Sequence, residues 1–97
     1  VGIEKTYKEI LADNRLFAAN AVGKMGGPAK AAKRLTELLA ERGENKLISV
    51  GQVWAWLNRD KRGIPLEYLI DIENESGIPR EKMRGDVPWR NRDNIAS

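Results

Sequence analysis

The chain has 97 residues, 41% of them hydrophobic and 32% charged. That is enough for one domain with a modest core, while no apolar run approaches the ~20 residues that span a bilayer. Cys and His are both absent, which excludes disulfides, thiolate nucleophiles, imidazole general bases and nearly every zinc site.

That inventory suits an enzyme poorly and calls for no cofactor. The net charge of +3 is unevenly spread: residues 28–64 carry eight basic side chains against four acidic ones, and residues 65–97 five against seven. A basic middle beside an acidic C-terminal third directs one face toward an anion, unless it is an ordinary solvated surface.

Val1-Gly2-Ile3-Glu4-Lys5 lacks the apolar stretch and cleavage site of a signal peptide. Together with the absence of Cys, this fits a cytoplasmic location. The periodicity predicts five helices and no strand, an all-α bundle forming a single domain over residues 1–89 with a frayed tail over 90–97. A first helix runs from about Ile3 to Ala12, with Tyr7, Ile10 and Leu11 at helical spacing. A second covers about Leu16 to Met25, or the two form one helix bent near Asn14. Gly26-Gly27-Pro28 is a turn, not a phosphate cradle, because Pro lacks the amide a phosphate would want.

Pro28 then opens a helix at its first position and Gly43 stops it. Its apolar stripe is Ala31, Ala32, Leu35, Leu38 and Leu39, with Lys30, Lys33, Arg34, Glu37 and Glu41 opposite. After a polar connector, Ser49 caps a short helix from Val50 to about Asn58. Its spacing turns Val53, Trp56 and Leu57 inward and Gly51, Ala55, Asn58 and Arg59 outward, with Gln52 and Trp54 on the flanks. A basic turn, Arg59-Asp60-Lys61-Arg62-Gly63, leads to a helix from Pro65 to Gly77 with Leu66, Leu69, Ile70 and Ile72 as its apolar face. One short turn follows near Arg80 to Met83.

The pair of helices on either side of the Gly43 connector is organised as a helix-turn-helix would be: the first braces on the backbone and the second enters the major groove. Val50, Gly51, Gln52, Trp54, Ala55 and Asn58 are the candidate base-reading residues. Small side chains at Gly51 and Ala55 permit close approach, the Gln52 and Asn58 amides match adenine edges, and Ala55 or Trp54 could touch a thymine methyl. Lys30, Ser49, Arg59, Lys61 and Arg62 are the candidate phosphate contacts. The bland alternatives are core packing for this helix pair, a neighbouring helix or dimer partner for Trp54, and a solvated turn for Lys61 and Arg62.

From Gly26 to Trp89, about two-thirds of the chain, the sequence resembles the YdaS-type, Cro-like phage regulators. The resemblance rests on Gly26-Gly27 before the Ala-rich Pro28 to Leu35 segment, and on Ser49, Val53 and Trp56-Leu57. It continues through Ile64-Pro65-Leu66-Glu67, Ile72-Glu73 before Gly77, and Arg80 to Asp86 with Trp89. It implies a prophage-type repressor or antitoxin-like regulator that binds duplex operator DNA as a homodimer in the bacterial nucleoid, with a toxin partner left open. Two departures stand out. The segment between Ala32 and Val53 is about eleven residues longer than a tight helix-turn-helix allows, and Gly85 stands where the family has Pro. The N-terminal helix lies outside the resemblance. A protein-interaction module that keeps the fold without reading DNA is the competing reading, motivated by the long connector and Trp54.

One carboxylate is expected to be structural. Glu73 falls inside the apolar arc of its helix, where it needs a partner. Arg84 is the expected partner, the alternative being a wet Glu73 at a frayed helix end.

Overall fold

A computed structural model describes residues 6–89. The start of the first expected helix at Ile3 and the tail over 90–97 lie outside the described residues. Five helices and no strand are present among those described: α1 (Tyr7–Lys24), α2 (Pro28–Glu41), α3 (Val50–Asn58), α4 (Leu66–Ser76) and α5 (Arg80–Met83). No helix among them is long and apolar enough to cross a membrane.

The first two expected helices are one. Thr6 caps α1 in a reciprocal box, its hydroxyl accepting from the Glu9 amide and its own amide donating to the Glu9 carboxylate. Asn14 does not bend the helix, because its side chain does not compete for local backbone. It is 1% exposed, donating to Asp86 Oδ1 at 2.8 Å and accepting from the Gly85 amide at 2.8 Å. Gly26 and Gly27 then turn the chain with φ of 104° and 102°, a region that L side chains rarely adopt, and Pro28 opens α2.

The connector between α2 and α3 is stitched down. The Ile48 amide donates to Thr36 Oγ1 at 2.9 Å, and that hydroxyl donates to the Ala32 carbonyl at 2.9 Å. This holds Ile48 in the core and sets the entry of α3. Ser49 caps α3 as expected, its hydroxyl accepting from the Gln52 amide.

The core joins Ala18 and Val22 of α1, Leu35 and Leu39 of α2, Val53 and Trp56 of α3, Leu69 and Ile72 of α4 and Met83 of α5. Two expected faces are rotated. In α4, Tyr68 is buried and stacks on Trp56 with ring centroids 5.2 Å apart. That turns Leu66 and Ile70 outward, where both are exposed. In α3, Ala55 is 3% exposed rather than outward. The helix packs against both α1 and α2, so its buried arc is wider than a stripe facing one neighbour.

The expected Glu73–Arg84 pair does not form. Glu73 instead accepts from the Arg80 amide at 2.7 Å, satisfying the first turn of α5. Arg84 is buried, forks onto Asp86 and donates to the Ile64 carbonyl at 2.9 Å.

Candidate nucleic-acid interface

Five of the six candidate base-reading residues are exposed. Val50, Gly51, Gln52, Trp54 and Asn58 are exposed, and Trp54 keeps 54% of its surface. Ala55 does not join them: it is buried, so it is withdrawn from the reading surface. Trp56 belongs to the core, as expected.

The two amides have partial duties at home. Gln52 Oε1 accepts from the Ser49 amide at 2.9 Å, closing a capping box and leaving Nε2 to donate elsewhere. Asn58 Nδ2 donates to the Trp54 carbonyl at 3.0 Å, leaving its oxygen to accept elsewhere. The Ser49-x-x-Gln52 spacing is that of a capping box, so Gln52 shares with Ser49 the cap expected of Ser49 alone.

Gly51 stands in the first turn of α3, where Gly is a poor helix former. A Cβ added there would meet only Ser49 Oγ, at 3.8 Å, so the protein's own packing does not require a glycine.

One group of cations is matched to carboxylates. Arg34 bonds Glu75 at 2.9 Å and lies near Glu37 and Glu41, while Arg42 bonds Asp71 at 2.7 Å and lies near Glu44. The Glu75 bond raises the Arg34 pKa, and the Asp71 bond raises that of Arg42. Lys46 faces Glu67 and Arg84 faces Asp86. These pairs tie the C-terminal half of α2 and its connector to α4, and anchor α5.

Other cations, three of them near the ends of α3, stand differently. Lys30 and Lys33 in the first turns of α2, and Lys61 and Arg62 in the turn after α3, are exposed and have no carboxylate partner among the described residues. Lys33 lines an open groove with Thr36, Glu37, Leu47, Ser49 and Val50, beside the N-terminus of α3, and Glu37 is turned to Arg34. Among the described residues Arg59 is the one candidate phosphate contact with a carboxylate, Asp60 at 3.4 Å, in an exposed pair that is worth little in water. Ser49 is exposed at the cap.

The same groove has an apolar rim that helical spacing does not reveal, because Leu47 lies in the connector. Leu47 is 78% exposed and Val50 is exposed beside it.

No protein-family model, no curated protein and no solved structure matches the chain.

Proposed function

We propose that the chain is a sequence-specific, duplex-DNA-binding transcriptional regulator, a Cro-like repressor or antitoxin-like regulator rather than an enzyme. In this reading α2 and α3 act as a helix-turn-helix with a lengthened first helix, and α3 enters the major groove. The observation that carries it is the division of charge. Arg34, Arg42, Lys46 and Arg84 are matched to carboxylates, whereas Lys33 beside the start of α3, Lys61 and Arg62 after its end, and Lys30 in the first turn of α2 have no carboxylate partner among the described residues.

An exposed helix between unmatched cations suits a polyanion whose base edges lie between two backbones. Gly51 supports the reading, because its missing side chain serves no internal contact and would permit close approach to base edges. Gln52 Nε2 and Asn58 Oδ1 remain as one donor and one acceptor on exposed side chains. Homodimerisation belongs to the proposal, since one short helix reads few bases and two half-sites double them.

The test is duplex selection from a random library, followed by salt titration of variants. Gln52→Ala is expected to relax sequence preference. Arg62→Ala is expected to weaken all sequences alike and lower the salt slope by about one. A palindromic consensus is the expected product of the selection. If neither variant altered duplex binding, the assignment of α3 would be wrong.

A second reading has its own observation. Leu47, Val50 and Trp54 form an exposed apolar strip along the connector and α3, and the Gln52 and Asn58 amides are partly occupied by backbone. A protein-interaction module would use that strip without reading DNA. Absence of binding to random duplex at micromolar concentration and low salt would favour it.

A further inference from the structure

The N-terminal helix carries charge that the α3 surface does not account for. Lys8, Leu11, Ala12 and Arg15 recur at the i, i+3, i+4, i+7 spacing of one helix face. They line a groove together with Lys61 from the turn after α3. The other face, through Ile10, Asp13, Asn14 and Phe17, lines a cleft with Glu81, Lys82 and Gly85 around α5. The groove therefore brings three cations together across 53 residues of sequence, on a floor of Leu11 and Ala12.

Lys8, Arg15 and Lys61 have no ion pair among the described residues, and the nearby Asp60 carboxylate is turned to Arg59. Arg15 instead donates to the Asp60 carbonyl at 3.3 Å, which ties its guanidinium to the turn that carries Lys61. Three like charges facing one groove repel one another, and an anion seated there relieves that repulsion.

We infer that this face of α1 is a phosphate-binding extension of the α3 surface, with Lys8 and Arg15 joining Lys61 on the DNA backbone. The inference rests on the proposed DNA-binding reading. The turn from Arg59 to Arg62 leaves the end of α3 directly, so a backbone engaged by Lys61 passes onto α1. The N-terminal helix then adds sequence-independent affinity and register, while base reading stays with α3.

The experiment is a salt titration of a random-sequence DNA duplex against the full chain and its Lys8→Gln/Arg15→Gln variant. Each lost phosphate contact lowers the slope of log K against log salt by about 0.9, so the double variant is expected to lose nearly two. The affinity gap from wild type should narrow as salt rises. Lys8 is exposed and has no ion pair among the described residues, so Lys8→Gln alone reports binding without a folding effect and is expected to lower the slope by about one. Arg15→Lys keeps the charge and is expected to keep the slope. Lys82→Gln, whose ammonium lies 5.2 Å over the Phe17 ring on the α5 side, serves as the control and is expected to leave the slope unchanged.

Wild-type binding with unchanged slopes in Lys8→Gln and the double variant overturns the role of α1 and leaves the α3 reading standing. Failure of the wild-type chain to bind duplex at low salt overturns that reading, and this inference with it.

Discussion

Arg84 and Asp86 face each other through two hydrogen bonds of 2.9 Å, Nε to Oδ1 and NH2 to Oδ2, with side chains only 7% and 10% exposed. The third arm of the guanidinium donates to the Ile64 carbonyl, and Asn14 of α1 donates to Asp86 Oδ1. One buried fork thus joins the middle of α1, the approach to α4 and the segment after α5. It also anchors the helix whose outer face carries Lys8 and Arg15.

Removing one member of a buried pair leaves the other charged and unmatched, which costs about 3–5 kcal/mol. Arg84→Ala is expected to lose stability in that range and to strand the Ile64 carbonyl as well. Arg84→Lys retains the charge but not the planar fork, so it should fall between the two. Urea unfolding at neutral pH measures both.

The same fork predicts an acid limit. The hydrogen bond from Arg84 lowers the Asp86 pKa below its ordinary 3.8, with Asn14 assisting and burial opposing. A depressed carboxyl binds its proton more readily in the unfolded chain. Its stabilisation is therefore complete above the ordinary value and is lost as pH falls through it toward the folded value. Asp86→Asn should be less stable than wild type at neutral pH, and its melting temperature should fall less between pH 5 and pH 2. Parallel acid profiles for the two proteins would exclude Asp86 as the source.

Much of this arrangement was legible, and the rest has a common cause. Pro28, Ser49 and the glycines punctuate the helices locally, so α2, α3 and α4 stand within a residue or two of expectation. Asn14 looked like a bend because its partners, Asp86 and Gly85, lie more than 70 residues away. Arg84 pairs with Asp86 and not with the expected Glu73, which is satisfied by a backbone amide. In each case a long-range partner decided what local spacing left open. The exposed side of α3 was mostly readable from period alone, whereas the groove of Lys8, Arg15 and Lys61 required knowing that α1 packs beside the turn after α3.

Ala55 tests the corrected face of α3. An outward alanine would accept a larger side chain almost without effect, but this one is 3% exposed in a helix packed on two neighbours. Ala55→Leu is expected to overpack that contact and cost about 1–3 kcal/mol. A melting temperature equal to wild type would return Ala55 to the reading surface.

Gln52 carries two proposed roles that one substitution can separate. Gln52→Glu retains a side-chain oxygen for the Ser49 amide, and a carboxylate suits a helix N-terminus, so stability should hold or rise slightly. It removes the Nε2 donor and places negative charge against DNA. Duplex binding is expected to fall at least tenfold while the fold is unchanged by circular dichroism. Ser49→Ala does the reverse, costing about 1 kcal/mol of stability with a smaller effect on binding.

Gly51 gives the sharpest separation of folding from recognition. Alanine is the better helix former by about 1 kcal/mol in a helix interior, and somewhat less in a first turn. A Cβ at this position meets nothing closer than Ser49 Oγ at 3.8 Å, so Gly51→Ala is expected to raise stability by about 0.5 kcal/mol. If α3 lies in the major groove with its N-terminal turn against base edges, the added methyl enters the contact and duplex affinity falls. A variant that is both more stable and a weaker binder fits a glycine retained for a partner's approach. Greater stability with unchanged duplex affinity would remove Gly51 from the interface and shift the contact toward Trp54 and Asn58.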